Sequence, residues 1–151
     1  TYPLPEAQTD RFMLKVLVEF PSFEEEREIV DRYTRRDGGP IPIERVLARE
    51  DLIEIQGFTR EVPMADDLLD DAVRLVQRTR EADAIEYGAS PRASLSLVLA
   101  SKARALLRGR AHVSREDVEA MAPPVLRHRI VLDFRTEREG RTPDDVIGDL
   151  L

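Results

Sequence analysis

Residues 12–20, FMLKVLVEF, decide the fold of this chain because large apolar side chains alternate along them. In an extended conformation one face carries only apolar groups: Phe12, Leu14, Val16, Val18 and Phe20. This period of two predicts a β-strand, which Pro21 ends. Burial of each such side chain contributes about 1.5–3 kcal/mol to stability, so the summed contribution of the five is comparable to the free energy of unfolding of a whole domain.

An isolated strand can neither bury this face nor pair its backbone groups. No second stretch of the chain has a strand pattern of this quality, so we expect the accepting sheet to precede Thr1 in sequence. Two alternatives are that residues 12–20 are helical or that they pair with a second copy. A helical interaction module that folds alone would bury the segment, whereas a portion of a larger α/β protein would leave it exposed.

The rest of the chain predicts helices. We place them from Pro5, over 22–36, 49–58, 65–80 and 91–107, from Ser114 and from Thr142, with capping residues at several starts. Residues 91–107 are apolar nearly all round in their middle, which predicts a central, buried helix. Pro123 and Pro124 are expected to kink or interrupt the helix from Ser114. A short strand over 129–134 is predicted to pair with 61–64.

Composition excludes several functional classes. The chain has no cysteine, which excludes a disulfide framework, a thiolate zinc site and a cysteine nucleophile. A net charge of −7 argues against nucleic acid as the main partner, because phosphate binding needs a positive field. No apolar run is long enough for a membrane span and no signal peptide is present, so we expect a cytoplasmic location.

Nucleotide and metal chemistry lack their motifs in this chain. A phosphate-binding loop ends in lysine and a hydroxyl residue after a glycine-rich turn, and neither Lys15 nor Lys102 has that context. His112 and His128 are not at metal-ligand spacing, so surface or packing roles are predicted for both. We therefore expect no metal site and no enzymatic activity from this chain alone.

Three parts of the chain form a recognisable set: residues 1–12, TYPLPEAQTDRF; residues 88–93, GASPRA; and residues 122–129, APPVLRHR, followed by 142–147, TPDDVI. In this order and spacing they resemble MoxR-type AAA+ ATPases. The first part resembles the end of the AAA+ core, the second the sensor 2 segment, and the third the close of the helical lid. The resemblance covers nearly the whole chain. Magnesium-chelatase-like subunits share most of this architecture and remain an alternative.

This resemblance implies a mainly α fold. It would be a lid bundle of four to five helices, with one short two-stranded pairing, preceded by the last helix and strand of an α/β AAA+ core. The core tail would span 1–21, connecting helices 22–60, and the lid 61–151. Residues 12–20 would then be the last strand of a parallel nucleotide-binding sheet, in agreement with the expected missing sheet.

The resemblance also assigns two arginines. Arg11 matches the arginine finger, which reaches ATP in the neighbouring subunit of a ring, and Arg92 matches sensor 2, which contacts the γ-phosphate in its own subunit. Without the resemblance, an ion pair of Arg11 with Asp10 and a solvated Arg92 would be the plainer interpretation. The family implies ATP and Mg²⁺ as cofactors of the full-length protein, in a homo-oligomeric ring that we expect to be a hexamer. It further implies chaperone-like assembly or metal-cofactor insertion, with a von Willebrand factor A domain protein as partner.

Overall fold

A computed structural model of the chain describes residues 5–36 and 38–151, which form eight helices and two short strands. The helices are α1 (Glu6–Thr9), α2 (Phe23–Thr34), α3 (Arg49–Glu61), α4 (Asp66–Arg78), α5 (Pro91–Leu107), α6 (Arg115–Leu126), α7 (Phe134–Arg138) and α8 (Pro143–Leu150). The strands are β1 (Ile85–Tyr87) and β2 (Val131–Leu132). The predicted mainly α fold with one short pairing is confirmed. Residues 1–4 of the predicted core tail lie outside the described residues.

Local capping signals account for where the helices begin. Ser22 and Glu25 form a reciprocal capping box at the start of α2, as their spacing predicted. Thr142 caps α8 in the same way, with Pro143 at its first position. After α5 the backbone turns at Gly109 with φ of 68°, the left-handed region that glycine adopts without strain.

The hydrophobic core lies within the second half of the chain, where α5 packs between α4 and α6 and α8 packs on α6. Its largest fully buried apolar side chains come from these four helices: Leu97, Leu126, Ile147, Val76 and Val125. Helix α5 is central, as predicted, since it contacts α3, α4 and α6 and buries Leu97 and Ala100. It is not buried on every side, because Leu95 is 68% exposed.

The short sheet is antiparallel, with Ile85 opposite Leu132 and Tyr87 opposite Val131. The predicted pairing of 129–134 with 61–64 is therefore wrong. The carbonyl of Pro63 instead accepts a hydrogen bond from the N–H of Val113, at 3.0 Å. A strand of two or three residues is too short to show a period in sequence, so its partner is decided by the packing of the helices around it.

Helix α6 continues through Pro123 and Pro124, so of the two predicted outcomes, a kink or an interruption, the interruption does not occur. The two prolines leave the carbonyls of Glu119 and Ala120 without their helical donors. Both of those residues are exposed, so water can supply the missing hydrogen bonds. The local cost of the prolines is thereby reduced, while Val125 and Leu126 remain in the core.

The strand predicted over 12–20 does not form among the described residues, because no neighbouring strand is present to complete its ladder. Its apolar side chains are exposed, to 90% at Val18 and 100% at Phe20. Only its beginning is attached to the bundle, where the N–H of Lys15 donates to the carbonyl of Pro124 at 2.8 Å. This exposure is what a portion of a larger α/β protein predicts, and it contradicts the burial that a lone interaction module requires.

Candidate functional site

The first turn of α5 presents Arg92 at the surface of the bundle. Ser90 is the N-cap, and its Oγ accepts a hydrogen bond from the Arg92 N–H at 3.3 Å, while Pro91 occupies the first helical position. The Arg92 side chain is 54% exposed. Backbone N–H groups at a helix N-terminus attract anions, so the Arg92 guanidinium and the start of α5 both favour binding of an anion.

The chain just before Ser90 is fixed against the end of α4. The Oγ of the buried Thr79 accepts from the N–H of Ala89 at 3.0 Å, and Arg80 Nε donates to the Ala89 carbonyl at 2.7 Å. A Cβ at Gly88 would lie 2.5 Å from the carbonyl oxygen of Thr79, so only glycine permits this close approach. The segment 88–93 therefore gives Arg92 a rigid base.

Asp10 joins the N-terminal segment to this helix start. Its carboxylate accepts from Ser90 Oγ at 3.0 and 3.1 Å, from Arg92 Nη1 at 3.2 Å and from Arg129 Nε at 3.1 Å. The plainer interpretation, in which Asp10 pairs with Arg11, is wrong. The carboxylate instead connects Arg92 and Arg129, which lie more than thirty positions apart in the sequence.

Arg129 is the buried centre of the site, with a side chain only 1% exposed. Besides the Asp10 carboxylate it donates to Ser96 Oγ at 3.2 Å and to the carbonyl oxygens of Asp10, Phe12, Met13 and Val125. Burial lowers the pKa of Arg129, and the bond to Asp10 opposes that effect. Because arginine titrates far above neutral pH, the guanidinium remains charged and must keep these partners.

Arg11 lies between two anchored points. The backbone of Asp10 on one side and of Phe12 and Met13 on the other is bonded to Arg129. The Arg11 side chain itself is exposed and makes no hydrogen bond or ion pair with residues 5–36 or 38–151. The backbone is thus held while the guanidinium stays available for a group outside this chain.

The two residues before Arg129 also bind the backbone of the N-terminal segment. His128 Nε2 lies 2.9 Å from the carbonyl oxygen of Phe12, so this nitrogen carries the proton and donates. Burial lowers the pKa of His128, which favours the neutral ring. Arg127 donates to the Lys15 carbonyl at 3.3 Å and pairs with Asp144 at 2.9 Å. The sequence did not assign these roles; its only signal was three consecutive basic residues after an apolar helix.

A cavity of about 260 Å³ lies beside this cluster, lined in part by Tyr87, His128 and Val131. Ligand pockets that enclose a small molecule are usually about 300–1,000 Å³, so this cavity is smaller than a typical ligand pocket. In the described part of the chain no group of three His, Cys, Asp or Glu residues could hold a metal ion. No helix there is long and apolar enough to span a membrane.

Comparison with known proteins reveals the same architecture elsewhere. The AAA lid domain family matches residues 77–150. Chaperone MoxR1 of Mycobacterium tuberculosis is 39% identical over 99% of the chain, and the uncharacterized protein YeaC of Bacillus subtilis is 36% identical over 100%. Protein MoxR of Methylorubrum extorquens is 30% identical over 95%. The crystal structure of a candidate ATPase from Cytophaga hutchinsonii superimposes with a TM-score of 0.89 and 33% identity over 99% of the chain.

These similarities identify residues 77–150 as an AAA lid domain. More narrowly, the chain as a whole is similar to MoxR-type AAA+ proteins, so the resemblance that its sequence motifs predicted is confirmed. The chain spans about half the length of these relatives, between 41% and 48%. The activity and partners of the whole protein are therefore proposals.

Proposed function

We propose that this chain is the lid and adjoining core segment of an ATP-driven ring protein, in which Arg92 senses the γ-phosphate bound by its own subunit and Arg11 reaches the ATP of a neighbour. The supporting observation is the site around Asp10, which places the Arg11 segment against the helix start that carries Arg92. The Asp10 carboxylate thus binds Arg92 directly and directly precedes Arg11 in the sequence, so two arginines whose roles would concern different ATP molecules belong to one network.

The available side chains fit the phosphate end of ATP. Phosphoryl transfer gathers negative charge on the γ-phosphate oxygens, and a permanent, planar, multi-donor cation stabilises that charge. Arg92 can supply such a cation from a helix start, and Arg11 can supply one from an exposed, anchored segment. ATP supplies the phosphoryl group. Residues that hold Mg²⁺ and the triphosphate would belong to the rest of the full-length protein.

The exposed 12–20 segment fits the same proposal. Residues 12–20 directly follow Arg11. In the full-length protein their backbone would pair with the nucleotide-binding sheet, and their apolar face would be covered. The name Chaperone MoxR1 suggests protein assembly as the output of the ring, and a von Willebrand factor A domain protein is our proposed partner. A hexameric ring remains the proposed oligomer.

The role of Arg92 is tested by Arg92→Ala in the full-length protein. Loss of a charged hydrogen bond to phosphate should lower ATP turnover roughly 10- to 100-fold. Arg74→Ala is the control, since Arg74 is an exposed helical arginine whose nearest carboxylate, on Asp70, is 3.9 Å away. Turnover that is unchanged by Arg92→Ala but measured on a folded ring would contradict the sensor assignment.

The role of Arg11 needs a mixing experiment, because a finger acts across subunits. Arg11→Ala should lower turnover by up to about 10³-fold. Mixing it with a variant that cannot bind ATP should restore part of the activity, since the second variant still supplies an intact Arg11. Arg27→Ala, an exposed arginine of α2, should need no rescue. If no mixing ratio restores activity, Arg11 does not act in trans.

A further inference from the structure

Arg92 already has an anion as its partner. Its Nη1 lies 3.2 Å from Asp10 Oδ2, so the guanidinium assigned to phosphate is held by a carboxylate of the same chain. Carboxylate and phosphate oxygens accept the same charge-assisted hydrogen bonds from arginine. The two anions would therefore compete for Arg92 unless the arginine can bind both.

The two members of this ion pair differ in freedom. The Asp10 carboxylate is fixed by Ser90 Oγ and by the buried Arg129, which would lose its charge partner if Asp10 moved away. The Arg92 side chain is half exposed and has Asp10 as its only ion-pair partner in the described residues. When a phosphate competes, Arg92 should therefore be the group that moves, while Asp10 stays.

Asp10 also adjoins Arg11 in the sequence, and Arg129 bonds both the Asp10 carboxylate and the carbonyls of Phe12 and Met13. When Arg92 leaves, the Asp10 carboxylate is left with Arg129 as its arginine partner, and Arg129 also holds the backbone that presents Arg11. The network is contiguous, from the start of α5 through one carboxylate and one guanidinium to the finger segment.

We propose that Asp10 is a positioning residue that occupies Arg92 in place of phosphate, and that ATP releases Arg92 from it and thereby signals nucleotide occupancy to the Arg11 segment. This inference rests on the proposed function of Arg92. While Arg92 is held by Asp10 it cannot engage ATP through that side chain, so the apparent affinity is reduced in proportion to the fraction of time for which Arg92 is free of Asp10.

The test is Asp10→Asn in the full-length protein, titrated with a non-hydrolysable ATP analogue. Removal of the competing charge should tighten analogue binding roughly two- to fivefold, the range expected for a partly exposed ion pair. ATP turnover should fall at the same time, because Arg129 loses the charge that fixes the Arg11 segment. A purely structural role for Asp10 would lower turnover without tightening binding.

A double-mutant comparison separates competition from a general charge effect. In the Arg92→Ala background, Asp10→Asn should leave analogue affinity unchanged, because no arginine is left to release. Tightening of equal size in both backgrounds would overturn the proposal, as would unchanged or weaker binding in the single variant. Asp71→Asn, which breaks the 2.6 Å ion pair with Arg115 away from the site, should leave affinity unchanged.

The wild-type protein gives a second route if Asp10→Asn does not fold. In a structure of the full-length protein with the bound analogue, Arg92 Nη1 should have moved well beyond the 3.2 Å that separates it here from Asp10 Oδ2. An intact Arg92–Asp10 ion pair in the analogue-bound protein overturns the proposal.

The same measurements of analogue binding separate failure of the proposed function from failure of this inference. If Arg92→Ala alone does not weaken analogue binding, the proposed function of Arg92 fails. If Arg92→Ala weakens analogue binding but Asp10→Asn does not tighten it, only the present inference fails.

Discussion

Both halves of the chain carry apolar side chains at regular spacing, but only the second half buries them in a core. Residues 62–151 bury a continuous core, with Leu97 at 0% exposure, whereas α2 and α3 contain no buried residue. Exposed apolar side chains run along the first half, among them Val18, Phe23, Ile53 and Phe58. Apolar periodicity thus marks a face that needs covering, but the covering group must be supplied by another element.

Local signals act equally well in both halves. The capping box of α2 forms fully although that helix has no buried residue, and the capping box of α8 forms next to the core. Most helical stability in proteins comes from packing of an apolar face rather than from caps or propensity. We therefore expect the first half to depend on contacts outside this chain and the second half to be stable through its own packing.

The largest expected effect is on the core. Leu97→Ala should lower the free energy of unfolding of the 1–151 chain by about 2–5 kcal/mol, through lost burial and a residual cavity. Leu52→Ala, the same change in α3, should cost under about 1 kcal/mol because that side chain is half exposed. Leu95→Ala is the control within α5: it makes the same change in the same helix at a side chain that is 68% exposed, and its cost should be small. Denaturant titration followed by circular dichroism measures all three, and similar losses at 97 and 52 would refute the contrast.

The next effect concerns an ionic cluster in the packed half. Asp117 is fully buried and accepts from Arg104 Nη1 at 2.6 Å, from Arg110, and from the N–H and Oγ of Ser114 at 2.9 Å. Asp117→Asn should destabilise the chain by about 1–3 kcal/mol, since two arginines lose a charged acceptor. Glu116→Gln is the control, because it breaks only the outer contact of Arg104.

The same carboxylate predicts a pH dependence. Burial raises the pKa of Asp117, but hydrogen bonds from Ser114 and Arg104 together hold that pKa below its ordinary value near 3.8. A depressed pKa contributes stability above the unfolded-state value, and that contribution is lost as the pH falls through the lower, folded-state value. Unfolding titrations from pH 6 downward should show a loss below about pH 4 that is smaller in Asp117→Asn. Parallel curves for both proteins would contradict this assignment.

The smallest expected effect in the isolated chain is at the exposed segment. Val18→Ser should change the free energy of unfolding of residues 1–151 by less than about 0.5 kcal/mol, because the side chain touches little. In the full-length protein the same substitution should cost about 1–3 kcal/mol if residues 12–20 join a covered sheet. Equal, small effects in both proteins would indicate that the segment stays uncovered there as well.

Local sequence by itself determined much of the helical structure. The start of α5 at Pro91, its end at Leu107 and the caps of α2 and α8 follow from contacts within about four positions. The position of Arg92 in a first helical turn was therefore predictable, as was the need of residues 12–20 for a partner. Family motifs then identified the lid without any knowledge of its packing.

Tertiary structure alone decided which distant groups meet. Asp10 contacts Ser90, Arg92 and Arg129 across 80 to 119 positions, and no local pattern specifies such an encounter. The partner of β2, the open side of α5 and the passage of α6 through two prolines were likewise set by neighbouring elements and solvent. The physical reason is that caps and turns act over one or two helical turns. A buried charge, by contrast, loses its hydration and therefore needs partners, and these can come from any part of the chain that the fold brings close.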